Sequence, residues 1–186
     1  MLENVLRRYN LKVKITVKSV ISLGLTLAAA FLPLLVHASI GTVGGATWLP
    51  MYLPVLLGGC LLGGFYGVAI GIASPIASYL ISLAILGLPM PIAEKLPYMI
   101  MELSVFGIVS GLFAKSISKK PLLAFPAVIC AQCAGRVINL ILNIFMGQAS
   151  LGLAVIQKGL PGLYAQVIIV PLIIIALAKS IKYDKD

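Results

Sequence analysis

At 186 residues, 61% of them hydrophobic and 10% charged, with a mean hydropathy of +1.12, the chain carries more apolar surface than an interior of its size can hide from water. This excludes an ordinary soluble domain. Fourteen Lys and Arg against five Asp and Glu give a net charge of +9, but the cations stand in short clusters between long apolar runs, the pattern of membrane-surface anchoring rather than of nucleic-acid binding.

A helix needs about 20 mostly apolar residues to cross a bilayer, and six such runs are legible in chain order. Residues 1–16 form a basic amino-terminal segment, read either as a short interfacial helix or as a solvated tail. The first run covers about 17–36, and the second, short and opened by Leu49 and Pro50, covers about 48–62. The others fall at about 66–86, 96–114, 122–146 and 160–178, with residues 179–186 as a tail. The expected fold is an all-α membrane domain over 17–178, one compact bundle of six transmembrane helices. A cleaved signal peptide over the first run is the lesser reading, because the run exceeds the 7 to 15 residues typical of a signal core.

Loop charge orients the bundle. Arg7, Arg8, Lys12, Lys14 and Lys18, then Lys115, Lys119 and Lys120, then Lys179, Lys182 and Lys185 all fall on one side of a six-span arrangement; the opposite side has Lys95 and Lys158. Positively charged loops stay in the cytoplasm, so both termini are expected there.

Ionisable groups within spans are costly, about 2.5 to 3.5 kcal/mol at the centre on insertion scales. There are two, Glu102 in the fourth span and Arg136 in the fifth. Gln132, Asn139 and Asn143 stand at offsets from Arg136 that place all four on one helical face. At 1.5 Å per residue, Glu102 lies roughly 9 Å and Arg136 roughly 15 Å from the outer ends of their spans. Gln166, Ser78 and Ser82 fall in the same half, with Trp48, Tyr52 and Tyr98 near its mouth. Two readings follow. One is an interhelical ion pair with amides as glue. The other, favoured because the polar groups avoid the inner half, is a ligand pocket open to the outside, built from Arg136, Glu102, Asn139, Asn143, Gln132, Gln166, Ser78, Trp48 and Tyr98. Trp48 and Tyr98 read equally well as interface anchors.

Small residues recur at four-residue spacing in Gly63, Gly67 and Gly71 and in Gly107 and Gly111, which suits close helix packing inside the chain. The first span carries two small stripes, one with Gly24 and Ala28, the other with Ser22, Thr26 and Ala30, and so has a surface to spare for another protein. Cys130 and Cys133 form a C-x-x-C within an apolar run with no histidine nearby, so they and Cys60 read as small hydrophobes. There is no phosphate-binding G-x-x-x-x-G-K-[S/T], the single histidine, His37, falls in an expected outer loop, and no aspartate lies in a span. No enzyme activity and no cofactor or metal are expected.

The order and spacing of several segments resemble the substrate-binding S components of energy-coupling factor (ECF) vitamin transporters: 53–59 (LPVLLGG), 62–67 (LGGFYG), 71–75 (GIASP), 101–107 (MELSVFG) with Gly111, and 135–139 (GRVIN). The resemblance implies a subunit that captures a vitamin or precursor and docks on a transmembrane T component driven by two ATPase subunits. It also implies that a small-residue face of the first span, Gly24 with Ala28 or Thr26 with Ala30, makes the contact. A structural or assembly protein and a stand-alone secondary transporter are the rival classes, the latter usually needing more spans or inverted repeats.

Overall fold

The computed structural model describes residues 15–89 and 91–183. It is 91% helical without a strand among the described residues, and five of its helices are long and apolar enough to cross a membrane. The chain is an all-α, multi-pass membrane bundle. The basic cluster Arg7, Arg8, Lys12 and Lys14, with Lys185, lies outside the described residues, as does all but the end of the 1–16 segment.

Helix α1 (Ile15–Trp48) is longer than the expected first span. Residues 37–47, expected as a loop, remain helical around one interruption at Gly41 (φ 78, ψ −177), a conformation that glycine adopts without steric cost. His37 is therefore a helical residue, and Trp48 closes α1 rather than opening the next span. The corner that follows combines Leu49 (φ 47), the one non-glycine residue with positive φ among those described, with Pro50, which has no N–H to donate to a helix.

Helix α2 (Tyr52–Leu62) has 11 residues, about 16 Å of rise, half the hydrocarbon thickness. The expected second span is thus a short buried helix. Gly63 (φ 97) separates it from α3 (Gly64–Leu86) and still lies at the seam with α4, its carbonyl carbon 2.8 Å from a Cβ built on Gly111. Gly87 ends α3 in the left-handed region, its N–H donating to the Leu83 carbonyl.

A 3-10 turn (Ala93–Lys95) leads into α4 (Leu96–Leu112), followed by the short α5 (Ala114–Lys119), a second 3-10 turn (Pro121–Leu123) and α6 (Ala124–Phe145). Gly147 (φ 69) turns the chain into α7 (Ala149–Tyr183), which starts well before the expected 160 and takes Lys179 and Lys182 of the expected tail into its last turns. Pro161 and Pro171 sit inside it, as prolines do in membrane helices whose freed carbonyls find other partners.

Helix α4 packs against α2, α3 and α6. Against α3 it meets backbone on backbone. A Cβ on Gly67 would stand 2.6 Å from the Gly107 carbonyl oxygen, one on Gly71 2.6 Å from that of Leu103, and one on Gly111 would strike Gly64. Phe106, Leu103, Leu56, Val55 and Ile70 fill the core beside this seam, while Val20, Leu80, Ile85, Ile129 and Leu172 point outward, as a lipid-facing surface requires. Cys130 and Cys133 are exposed and Cys60 is buried. On α1 the two small stripes part company. Ala30 is completely buried and Ser22 nearly so, which commits the Thr26–Ala30 stripe to internal packing; Gly24 and Ala28 stay exposed, with nothing within 4 Å of a Cβ built on Gly24.

Candidate functional site

Glu102 precedes Leu103, whose carbonyl lies against Gly71 of α3, so the roughly 100° step of the helix turns Glu102 toward α6. On α6, Gly135 lets that helix close in: a Cβ there would strike the Phe106 ring and stand 3.2 Å from the Glu102 carbonyl oxygen. One residue further on, Arg136 reaches back across the contact. Its Nη1 lies 3.1 Å from Glu102 Oε1, and the two side chains are 7% and 1% exposed.

The two carboxylate oxygens of Glu102 are used differently. Oε2 accepts from the Tyr52 hydroxyl at 3.0 Å and from Asn139 Nδ2 at 2.9 Å. Asn143 Nδ2 in turn donates to Asn139, to its carbonyl at 2.8 Å and to its Oδ1 at 3.0 Å. Oε1 faces Arg136 but accepts no aligned hydrogen bond, and Nε, Nη1 and Nη2 of Arg136 donate none to any described residue. The Tyr52 ring stands beneath the guanidinium, 5.4 Å from centroid to Cζ, and is itself braced edge-on by Phe106 at 5.1 Å.

Helix α7 covers this group. A Cβ on Gly159 would stand 2.9 Å from Arg136 Nη2 and 2.8 Å from Leu49 Cδ1, and one on Gly162 would stand 2.6 Å from the carbonyl oxygens of Thr47 and Trp48. Gln166 Nε2 donates to the Leu49 carbonyl at 3.0 Å and the Trp48 carbonyl at 3.4 Å. Gln132 Nε2 donates to Gln166 Oε1 at 3.3 Å and the Leu163 carbonyl at 3.2 Å, tying α6 to α7 just below. The end of α1 and the corner after it are thereby held over the guanidinium by a glutamine pair.

The structure brings Glu102, Arg136, Asn139 and Asn143 into one cluster and places Gln132 and Gln166 in the adjoining α6–α7–corner contact. The remaining expected site residues fare differently. Ser78 and Ser82 are completely buried on α3, the Ser82 hydroxyl donating to the Tyr79 carbonyl. Trp48 is 48% exposed, and the site uses its carbonyl instead. Tyr98 is half-buried in the first turn of α4, about 6 Å of rise from Glu102. Two contributors were not among the expected site residues. Tyr52 stood in the chain as an aromatic at a span's mouth, and the signal it gave is that a buried tyrosine needs a partner for its hydroxyl. Gly159 gave none, since nothing in the sequence around it marks a close approach.

No protein-family model, curated protein or solved structure matches the chain. The functional reading therefore rests on the cluster itself: one negative and one positive charge, a polar network saturating one carboxylate oxygen, and a guanidinium with its donors unaligned.

Proposed function

We propose that this chain is the substrate-binding subunit of a membrane import system, an S component of the ECF type. It captures a small solute, a vitamin or vitamin precursor, around Arg136 and Glu102. The solute is then delivered by docking on a T component driven by two ATPase subunits. The observation that carries the reading is Arg136: a buried, always-charged group whose donors are left unaligned costs stability that a purely structural clamp would avoid. The Lys115–Lys120 side of the bundle faces the cytoplasm and the Trp48–Leu49 corner faces outward, in keeping with loop charge. The exposed Gly24–Ala28 stripe is the docking surface, and the chain's lack of a phosphate loop fits a subunit energised by a partner.

Calorimetric titration of the purified protein with a panel of vitamins tests the capture step. Binding of one member, abolished by Arg136→Ala, is expected; no binding by folded protein sinks the proposal. Co-purification with a T component and ATPases, weakened when Gly24 and Ala28 are both changed to Leu, tests the docking step. The 3.1 Å Glu102–Arg136 pair favours a second reading, a polar staple between α4 and α6. That reading expects no ligand and no partner.

A further inference from the structure

We propose that the Glu102–Arg136 pair receives a solute of no net charge that presents a hydrogen-bond acceptor beside a donor on one edge, as an amide, a lactam or a cyclic urea does. The inference rests on the binding-subunit reading and narrows it to a chemical class. Charge comes first. The pair is already neutral, both members are nearly inaccessible, and neither the amides nor Tyr52 around them carries charge. A monovalent anion or cation bound here would leave one uncompensated charge away from water, and that is strongly unfavourable. A neutral solute leaves the balance intact.

Hydrogen bonding then defines the edge. Glu102 Oε2 is occupied by Tyr52 and Asn139, whereas Oε1 accepts nothing aligned. Beside it the guanidinium carries five N–H donors, with Nε, Nη1 and Nη2 unaligned toward any described acceptor. The site thus offers one acceptor oxygen 3.1 Å from a donor nitrogen. Its complement is a carbonyl oxygen set against the guanidinium and an N–H set against Oε1. Neither a carboxylate, which has no donor, nor an ammonium, which has no acceptor, meets both halves. The Tyr52 ring lies 5.4 Å from the guanidinium, and α7 approaches Nη2 so closely at Gly159 that a Cβ there would stand 2.9 Å away, so a solute reaches this edge only as α7 gives way.

The probes are small and similar in size: 2-imidazolidinone, butyrate and n-butylammonium, each titrated into the detergent-purified full chain by thermal shift and calorimetry. The expected result is saturable binding of 2-imidazolidinone, with both ions weaker by about tenfold or more. Glu102→Gln, which leaves the site one positive charge in excess, is expected to reverse the order in favour of butyrate. Arg136→Gln is expected to reverse it toward n-butylammonium. If the unaltered protein prefers butyrate and loses it on Arg136→Ala, the neutral-edge inference is overturned while the binding-subunit reading stands. If the folded protein binds none of the probes, the inference is overturned, and if it also binds no vitamin in the panel, both fall. The order among the three probes on the unaltered chain decides the matter even where a variant fails to fold.

Discussion

Two faces of one helix contrast in how α4 meets its neighbours. Toward α3 it presents Gly107, Gly111 and the Leu103 backbone, and the helices touch main chain to main chain with no side chain between them. Toward α6 it presents Glu102 and Phe106, and beside the close approach at Gly135 the contact carries polar side chains: a guanidinium, a carboxylate and an asparagine. In lipid, association gains little from apolar burial, so close approach through small residues is the efficient way to hold two helices. The α3–α4 seam does that. The α4–α6 contact also buries a charge pair whose guanidinium donors are unaligned, the observation on which the proposed binding role rests.

The contrast can be broken at either face. The largest effect is expected for Gly107→Val, because a Cβ there meets the Gly67 backbone and the Val68 nitrogen, and backbone on both sides cannot yield as a flexible side chain would. Little folded protein should survive size-exclusion chromatography in mild detergent. Next is Arg136→Ala, which leaves Glu102 buried without its counter-charge and should cost about 3–5 kcal/mol in denaturant unfolding. Replacing both partners, Arg136→Met with Glu102→Leu, should recover most of that stability while every form of solute binding is lost; recovery of stability with binding retained would mean that the pair is only a staple. Tyr52→Phe keeps the ring against Arg136 and Phe106 but removes the hydroxyl from Oε2, an expected loss of about 1 kcal/mol by the same measurement. Smallest is Gly24→Leu, on an exposed stretch of α1 with nothing near its Cβ. Stability should hold within about 0.5 kcal/mol, and any larger effect should appear only in partner capture.

Much of this architecture was legible before the structure. The inward face of α6 follows from the spacing of Gln132, Arg136, Asn139 and Asn143, all buried as that spacing requires, and Gly67, Gly71, Gly107 and Gly111 lie at the seam their four-residue repeat implied. What periodicity cannot give is the rotation of one helix relative to another, so the pairing of Glu102 with Arg136, rather than of each with a ligand, needed three dimensions. Span limits failed where composition misleads. Residues 37–47 and 149–159 are rich in small and polar types and read as loops, yet the chain is helical on both sides of Gly41, where two helical stretches meet at a kink, and Pro161 lies inside α7. Gly63 does two things that the repeat alone does not separate: its backbone lies against Gly111, and its positive φ breaks the helix between α2 and α3. On α1, two stripes equal in sequence became unequal once Ala30 was covered and Gly24 was not.

The thiols of α6 have a use unrelated to their chemistry in the fold. Cys130 and Cys133 point outward while Cys60 is shut inside, so a fluorophore can be attached to the outer pair without disturbing the core. Cys133 is three residues from Arg136, about 4.5 Å along the axis. Quenchers fixed at known depths on lipid chains would therefore read, from the dimming of that label, how far the guanidinium lies below the headgroups.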